Sequence, residues 1–261
     1  MTWFIKDDKT EGVITAKKHL LSKGHKDIEV KELPKNAIIF CLSKWDKILQ
    51  EEFGAELYLE KLKQFLGSTP VFKIPNANDW CFLHGGPGAP LCADAVESIC
   101  ALGVERIVLV GMVGGFGSEV DVGDIVVPSK ILPREGTSIH YVGRKNWAKN
   151  SQSKKLCAYL SDCGFSVCDK PTVSCDAVYR QTFAKESAWR KMGCVGVDCE
   201  GSAVVNVAKF LGAKVECVFV VSDKHPQSPD EPKDWHWGID YDGRKKFISS
   251  LINFYVFNKK S

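Results

Sequence analysis

The sequence predicts a single α/β domain that spans residues 1–261. Two observations lead to this fold class. Short apolar runs rich in β-branched residues alternate with segments of helical periodicity, and two of these runs end in glycine-rich segments. The chain is long enough for one large domain, and we find no internal repeat, low-complexity tract or linker that would divide it.

The composition excludes several classes of protein. Hydrophobic residues make up 44% and charged residues 26%, which argues against disorder. The net charge of +3 is small and the charges are interleaved, so we expect no nucleic-acid surface. No apolar run approaches the roughly 18–20 residues of a membrane helix, and the early charges in residues 1–9 are unlike a signal peptide. Eleven cysteines without CxxC pairs predict free thiols, so we expect a cytoplasmic protein with no metal and no cofactor.

The first part of the chain shows clear helix and strand signals. Apolar runs bounded by turn residues predict strands, and a capping residue before a periodic segment predicts a helix. The predicted elements are a short helix capped by Thr15 (16–22), a buried strand (37–42), a helix capped by Ser43 and closed by Gly54 (44–52), and a hairpin (71–74 with 80–84).

A strand, a glycine-rich turn, a helix and a second strand then follow in succession. The turn at 85–90 leads into a helix at 91–102, which leads into a buried strand at 107–110. This order predicts a βαβ unit with a right-handed crossover. We interpret residues 111–117, which contain four glycines, as a loop at the carboxyl end of that strand, where open α/β sheets bind ligands. A tight turn between two core strands is an equally good interpretation of the loop alone.

In the rest of the chain, predicted strands continue to alternate with predicted helices. Its polar segment at 134–141 predicts a loop, and functional residues are often found on loops. The predicted strands are 125–127, 172–175 and 215–221, and the predicted helices are 151–163, 185–191, 200–211 and 243–257.

Two carboxylates stand at positions where a ligand could bind. Glu200 opens a predicted helix, where the dipole favours a carboxylate that could accept hydrogen bonds from a sugar diol. Spacing alone slightly favours a capping carboxylate that binds nothing. Asp223 ends a very apolar strand, where partial burial would raise its pKa and let it protonate a leaving group. The alternative is that Asp223 caps the following turn.

The motifs in order resemble the nucleoside phosphorylase family that includes uridine phosphorylase and the hexameric purine nucleoside phosphorylases. The resemblance runs from about residue 80 to residue 225, and it implies a mixed, mostly parallel central sheet flanked by helices. It also implies cleavage of the N-glycosidic bond of a nucleoside by phosphate. The motifs are GGPGAP (85–90), LGVERIVLVGMVGGFGSEVDVGDIVVP (102–128), REGTSIHY (134–141), SCDAVYRQT (174–182), VGVDCEGSAVVNVAKFLGAK (195–214) and VFVVSDKH (218–225).

The resemblance implies roles for individual residues. Asp223 matches the aspartate that protonates the purine ring in the purine-specific branch, and Glu200 matches the ribose-binding glutamate. Cys199 stands where a methionine usually precedes that glutamate. The resemblance further implies a small-molecule nucleoside substrate, inorganic phosphate as co-substrate and a homodimer or homohexamer. The positions that it places in the base pocket are Gly114, Val178, Tyr179 and Ser222.

The chain departs from the family at the phosphate site. Leu109 and Met112 replace an arginine and a hydroxyl residue, and the early phosphate loop is replaced by residues 41–46. An apolar side chain that faces a dianion would cost several kcal/mol. Phosphorolysis is the first hypothesis, while hydrolysis and a non-catalytic relative that binds a nucleoside or base stay open. The remaining anion candidates are Met112, Val113, Lys44, Arg134, His140 and Arg180.

Overall fold

The computed structural model describes residues 10–22, 31–143, 147–231 and 235–257. Residues 1–9, on which the signal-peptide expectation rests, lie outside these ranges. The strands are β1 (Asn36–Cys41), β2 (Glu56–Lys63), β3 (Ser68–Lys73), β4 (Trp80–His84), β5 (Arg106–Gly115), β6 (Ile125–Val126), β7 (Lys130–Arg134), β8 (Ala148–Lys149), β9 (Val167–Cys168), β10 (Thr172–Cys175), β11 (Gly196–Asp198) and β12 (Lys214–Lys224). The helices are α1 (Ala16–Leu20), α2 (Trp45–Phe53), α3 (Ala89–Ala101), α4 (Ser138–Val142), α5 (Lys154–Asp162), α6 (Phe183–Lys191), α7 (Gly201–Phe210) and α8 (Tyr241–Tyr255), with a 3-10 helix at Val178–Arg180.

Across the described ranges, the strands form one mixed sheet of twelve. Its main path runs β2-β3-β4-β1-β5-β11-β10-β7-β8, while β12 pairs with β5 and β6, and β6 also pairs with β9. The strands β4, β1, β5 and β12 run parallel to one another. Their carboxyl ends therefore meet at one edge, which is where sheets of this kind bind ligands. The architecture confirms the predicted α/β class with a mixed sheet flanked by helices.

Both faces of the central sheet are covered by helices. Along β5, Ile107 and Leu109 pack into an apolar layer with residues of α3 and α7. The alternate residues Val108 and Val110 pack into a second layer with residues of α2, α5 and α8. This two-sided burial explains why the strand reads as a continuous apolar run in the sequence.

The glycine-rich segment after residue 110 was wrongly predicted as a loop. In the structure β5 continues to Gly115 and pairs with β12 along almost its whole length. A Cβ atom on Gly111 would lie 3.2 Å from the Phe219 ring, and one on Gly115 would lie 2.9 Å from Val221. These two glycines therefore allow close packing against neighbouring side chains within the sheet.

Some of the other local predictions are confirmed and others are wrong. The hairpin is confirmed, because β3 and β4 pair antiparallel, and Gly54 ends α2 in a left-handed conformation as expected. Ser43 does not cap that helix, because the capping position is taken by Lys44 at φ 67°. The 134–141 segment is the end of β7 and the short helix α4 rather than a loop throughout. Among the helices of the described ranges, none combines the length and the apolar character needed to cross a membrane.

Candidate functional site

The first group of polar side chains, which we call the Glu200 site, consists of Asp198 and Glu200 at the junction of β11 and α7. Asp198 is buried, and its Oδ1 accepts a 2.7 Å hydrogen bond from the Ser174 hydroxyl. Its Oδ2 accepts hydrogen bonds from the backbone N–H groups of Glu200 and Gly201. Asp198 thus caps the first turn of α7, and Glu200 makes no side-chain cap.

Glu200 itself is directed to a different partner. Its Oε1 accepts a 2.6 Å hydrogen bond from the backbone N–H of Gly88, in the turn that precedes α3. Burial, reinforced by the negative charge of Asp198, raises the pKa of the Glu200 carboxyl to about 7. The backbone groups that hydrogen-bond to this carboxyl and lower its pKa are those of Gly88 and Cys199. A carboxylate has about four lone-pair sites, so Glu200 can accept a hydroxyl of a ligand in addition.

The second group, which we call the Asp223 site, lies at the end of β12. The Asp223 carboxylate is buried and accepts three side-chain hydrogen bonds, from Ser222 to Oδ1 and from Trp235 and His225 to Oδ2. Burial alone would raise the pKa of Asp223, but the hydrogen bonds from His225, Ser222 and Trp235 lower it below its ordinary value. The raised pKa expected from the sequence is wrong, because the sequence did not reveal these donors.

His225 completes the Asp223 site. Its Nε2 lies 3.1 Å from Asp223 Oδ2, and its Nδ1 lies 2.7 Å from Oε1 of Glu186, a buried residue of α6. Burial alone would lower the pKa of His225, but hydrogen bonds to Asp223 and Glu186 raise it to about 9. The backbone N–H of His225 donates to Gly115, which fixes the residue against β5.

Gly114 lies between the two sites. In the sheet register it pairs with Val197 on one side and with Asp223 on the other. A Cβ atom at this position would lie 2.6 Å from His225 Nε2 and 3.5 Å from Asp223 Oδ2. The absence of a side chain at Gly114 therefore leaves room for the imidazole beside β5, and the two carboxylate sites lie on β11 and β12, the strands that flank β5 at this residue.

A third feature stands at the carboxyl ends of β1 and β4. Cys41 and Cys92 place their Sγ atoms 3.2 Å apart, and the Gly86 N–H donates to Nδ1 of His84 at 3.0 Å. Hydrogen bonding between the thiols together with burial raises the pKa of Cys41 well above its ordinary value, and burial lowers the pKa of His84. Neutral thiols and a neutral imidazole give this third feature no fixed cation.

Comparisons with known proteins identify the family of this chain. The family model described as the phosphorylase superfamily matches residues 67–244. The chain belongs to the phosphorylase superfamily. This membership confirms the resemblance to nucleoside phosphorylases that the motifs indicated.

Individual relatives within the superfamily are distant. A guanosine phosphorylase from Halorubrum lacusprofundi is 26% identical over 188 residues, which cover 66% of this chain and 78% of the relative. A DeoD-type purine nucleoside phosphorylase from Shewanella frigidimarina is 26% identical over 185 residues, which cover 67% of this chain and 77% of the relative. The crystal structure of uridine phosphorylase from Vibrio fischeri ES114 aligns with a TM-score of 0.65 at 21% identity, over 74% of this chain and 81% of that one. The last comparison supports the fold alone.

The positions at which superfamily members were expected to hold phosphate are apolar here. Leu109 is fully buried in the layer under α3 and α7, and Val113 is buried in the same layer. Met112 is partly buried and packs on the opposite layer. The side chains of Met112 and Val113 therefore offer an anion no polar contact.

The cationic candidates lie at the surface. Lys44, Arg134, His140 and Arg180 are all exposed. Arg134 ends β7, which runs parallel to β10 with Arg134 beside Cys175, and a hydrogen bond from the Gly136 N–H to Asp176 joins the two following segments. The structure thus brings the 134–141 and 174–182 motifs together.

The remaining pocket candidates differ in exposure. Cys199 is half-buried beside Glu200, and Ser222 is buried against Asp223. Val178 and Tyr179 are 52% and 99% exposed in the 3-10 helix after β10. These two side chains can only enclose a base together with another surface.

Sequence reasoning missed three members of these sites. Asp198, Glu186 and His225 were not among the candidates, although His225 falls inside the VFVVSDKH motif. Its spacing of two residues from Asp223 at a strand end was a usable signal, because such residues share one side of a strand. Glu186 lies on a helix far from Asp223 in the chain, so no local pattern connects them.

Proposed function

We propose that this protein cleaves the N-glycosidic bond of a purine nucleoside by phosphorolysis, which gives the free base and ribose or deoxyribose 1-phosphate. The observation that carries the proposal is the pairing of Gly114 with Asp223 on one neighbouring strand and with Val197, next to Asp198, on the other. This register sets two different carboxylate sites beside one glycine. The names of the guanosine and purine nucleoside phosphorylases among the relatives support the choice of a purine.

The two sites suit different parts of a nucleoside. Glu200 accepts hydrogen bonds from backbone groups only, and a carboxylate with remaining lone pairs can hold the sugar hydroxyls and fix the position of C1′. Asp223, with His225 beside it, suits the leaving base. Negative charge develops on the base as the C1′–N bond breaks, and a proton delivered at this site neutralises that charge. The oxygen of the acceptor attacks C1′ as the base departs.

Hydrolysis is a second candidate, and a specific observation favours it. The side chains at 109, 112 and 113 pack into apolar layers, and the neighbouring thiols are neutral. A phosphate dianion would have to be held by surface groups such as Arg134 or Arg180, whereas water needs no such cation.

We also propose that the protein acts as a homodimer or homohexamer, with inorganic phosphate as co-substrate. Tyr179 and Trp237 are exposed aromatic side chains, and large exposed apolar groups are typical of contact surfaces. Light scattering coupled to size-exclusion chromatography measures the assembly directly. A monomeric mass would contradict this part of the proposal.

The decisive experiment measures base release from a panel of purine and pyrimidine nucleosides, with and without phosphate. The assay must resolve ribose from ribose 1-phosphate. We expect ribose 1-phosphate from purine nucleosides only when phosphate is present. Free ribose formed regardless of phosphate would establish the hydrolytic alternative, and no base from any nucleoside would favour a non-catalytic binding protein.

A further inference from the structure

His225 bridges two buried carboxylates through its opposite ring nitrogens. Nδ1 lies 2.7 Å from Glu186 and Nε2 lies 3.1 Å from Asp223. A neutral imidazole carries one N–H, so it could donate to only one of these carboxylates and would turn a lone pair toward the other. A doubly protonated ring donates to both. The geometry therefore favours the imidazolium form.

The two groups in direct ionic contact with the ring reinforce the imidazolium form, and the nearby cations are paired with other groups. On α6, Glu186 contacts the ring directly, and Arg190 lies 3.8 Å from the other oxygen of Glu186. On β12, Lys224 directs its ammonium to the carbonyl groups of Gly117 and Val120 and to Asp121, 3.3 Å away. The adjoining part of β5 contributes only backbone and glycine. In the described ranges, both groups in direct ionic contact with the ring are thus carboxylates.

The proton for the leaving base is held by His225 and not by Asp223. An ionised Asp223 cannot protonate a leaving base, and its hydrogen bonds keep it ionised. His225 Nε2 and the base would both approach the same carboxylate, so a proton can pass from the ring through that carboxylate.

We propose that His225 is a positioning residue that holds the cleavage proton for Asp223, and that Glu186 keeps the imidazole doubly protonated. This inference rests on the proposed function, because the proton goes to the departing base. His225 first passes its Nε2 proton to the ionised Asp223. When the C1′–N bond breaks, its electron pair passes to the base, which takes this proton from the Asp223 carboxyl, so Asp223 begins and ends ionised. C1′ gains an oxygen from phosphate, or from a water that releases a proton to solvent, and solvent reprotonates His225.

The first test is the pH dependence of kcat. In the wild-type protein kcat should fall as the pH rises through the pKa of His225, which is about 9. Glu186→Gln should move this falling limb lower by about one to two pH units, because a charge that stabilises the imidazolium is lost. The matched control is Glu105→Gln, which removes an exposed carboxylate paired with Lys35 at the amino end of β5 and should leave the limb in place.

His225→Gln sharpens the same test. The glutamine keeps a hydrogen-bond donor beside Asp223 but cannot carry the proton, so kcat should fall about 10²-fold and the alkaline limb should disappear. A purely structural role would lower kcat without moving the limb. Variants that retain the wild-type limb would overturn the inference.

Imidazole ¹⁵N NMR of the full chain provides a readout that does not depend on turnover. The resonances lost in His225→Gln identify the ring, which should stay doubly protonated well above the ordinary pKa of roughly 6.5. An active protein whose His225 titrates near that ordinary value would overturn this inference alone. A wild-type protein that releases no base would overturn the proposed function and the proton delivery with it, while the NMR result would still report the state of the ring.

Discussion

The Glu200 site and the Asp223 site lie on strands that flank the same glycine. Burial acts on the carboxyl groups of Glu200 and Asp223 alike, yet their pKa values are shifted in opposite directions. Burial together with the charge of Asp198 raises the pKa of Glu200 to about 7. At Asp223 burial acts in the same direction, but His225, Ser222 and Trp235 lower the pKa below its ordinary value. The difference comes from the hydrogen-bond donors. Three side-chain donors at Asp223 outweigh the effect of burial, whereas the backbone donors at Glu200 do not outweigh burial and the charge of Asp198.

This contrast fits a division of labour between the two sites. Glu200 can pass between its two protonation states near neutral pH, so its ability to accept sugar hydroxyls depends on pH. Asp223 stays ionised and keeps a proton donor beside it. Two carboxyl groups whose environments separate their pKa values are a common basis for distinct catalytic roles.

The largest effect should come from Asp223→Asn. Asparagine cannot accept a proton from His225 and pass it on, so kcat for purine nucleosides should fall about 10²- to 10⁴-fold, and pyrimidine cleavage should fall less. Steady-state kinetics on both substrate classes measures this. Asp79→Asn, at an exposed aspartate in the turn before β4, is the matched control and should keep wild-type rates. Equal losses for both classes would show that Asp223 does not act on the base.

Glu200→Gln should have a smaller effect, and on a different parameter. The amide offers a weaker acceptor to the sugar, and a hydrogen bond to a charged group contributes about 1.5–3 kcal/mol. We therefore expect KM to rise about tenfold to a hundredfold while kcat changes less. Glu105→Gln serves as the control here also, because its carboxylate lies at the opposite end of β5. An unchanged KM would remove Glu200 from the sugar site.

The contrast between the two sites also marks the limit of what the sequence could predict. The strand and helix periodicity placed Glu200 and Asp223 at the ends of the correct elements, because local patterns record which face of an element is buried. The pKa of Asp223 could not be obtained in this way. It depends on Trp235 and on His225, whose orientation Glu186 fixes from a separate helix.

The glycines after residue 110 illustrate the same limit. Their density predicted a loop, whereas β5 runs through Gly115. In the sequence, a glycine that makes room for a neighbouring side chain, such as Gly114 beside His225, cannot be distinguished from a glycine that makes a turn. Only the tertiary neighbours distinguish the two cases.

The smallest expected effect is that of Asp198→Asn, which tests why the pKa values of Glu200 and Asp223 are shifted in opposite directions. Asp198→Asn removes the negative charge beside Glu200, so the pKa of Glu200 should fall below about 7. Substrate affinity, which needs the ionised Glu200, should then rise with pH at a lower pH than in the wild type, and 1/KM measured from pH 5 to 8 reports the shift. Because Asp198 also caps α7, the free energy of unfolding in urea should drop by about 1 kcal/mol.

Ser202→Ala separates the charge of Asp198 from its structural role. This variant removes a hydroxyl in the first turn of α7 that donates to Glu135 and so also costs about 1 kcal/mol of unfolding free energy, but it leaves Asp198 and its hydrogen bond from Ser174 in place. Its 1/KM profile should therefore not move to lower pH, although the protein is destabilised to a similar extent. If both variants shifted the profile alike, loosening of the β11–α7 junction would explain the result, and the charge of Asp198 would not be what separates Glu200 from Asp223.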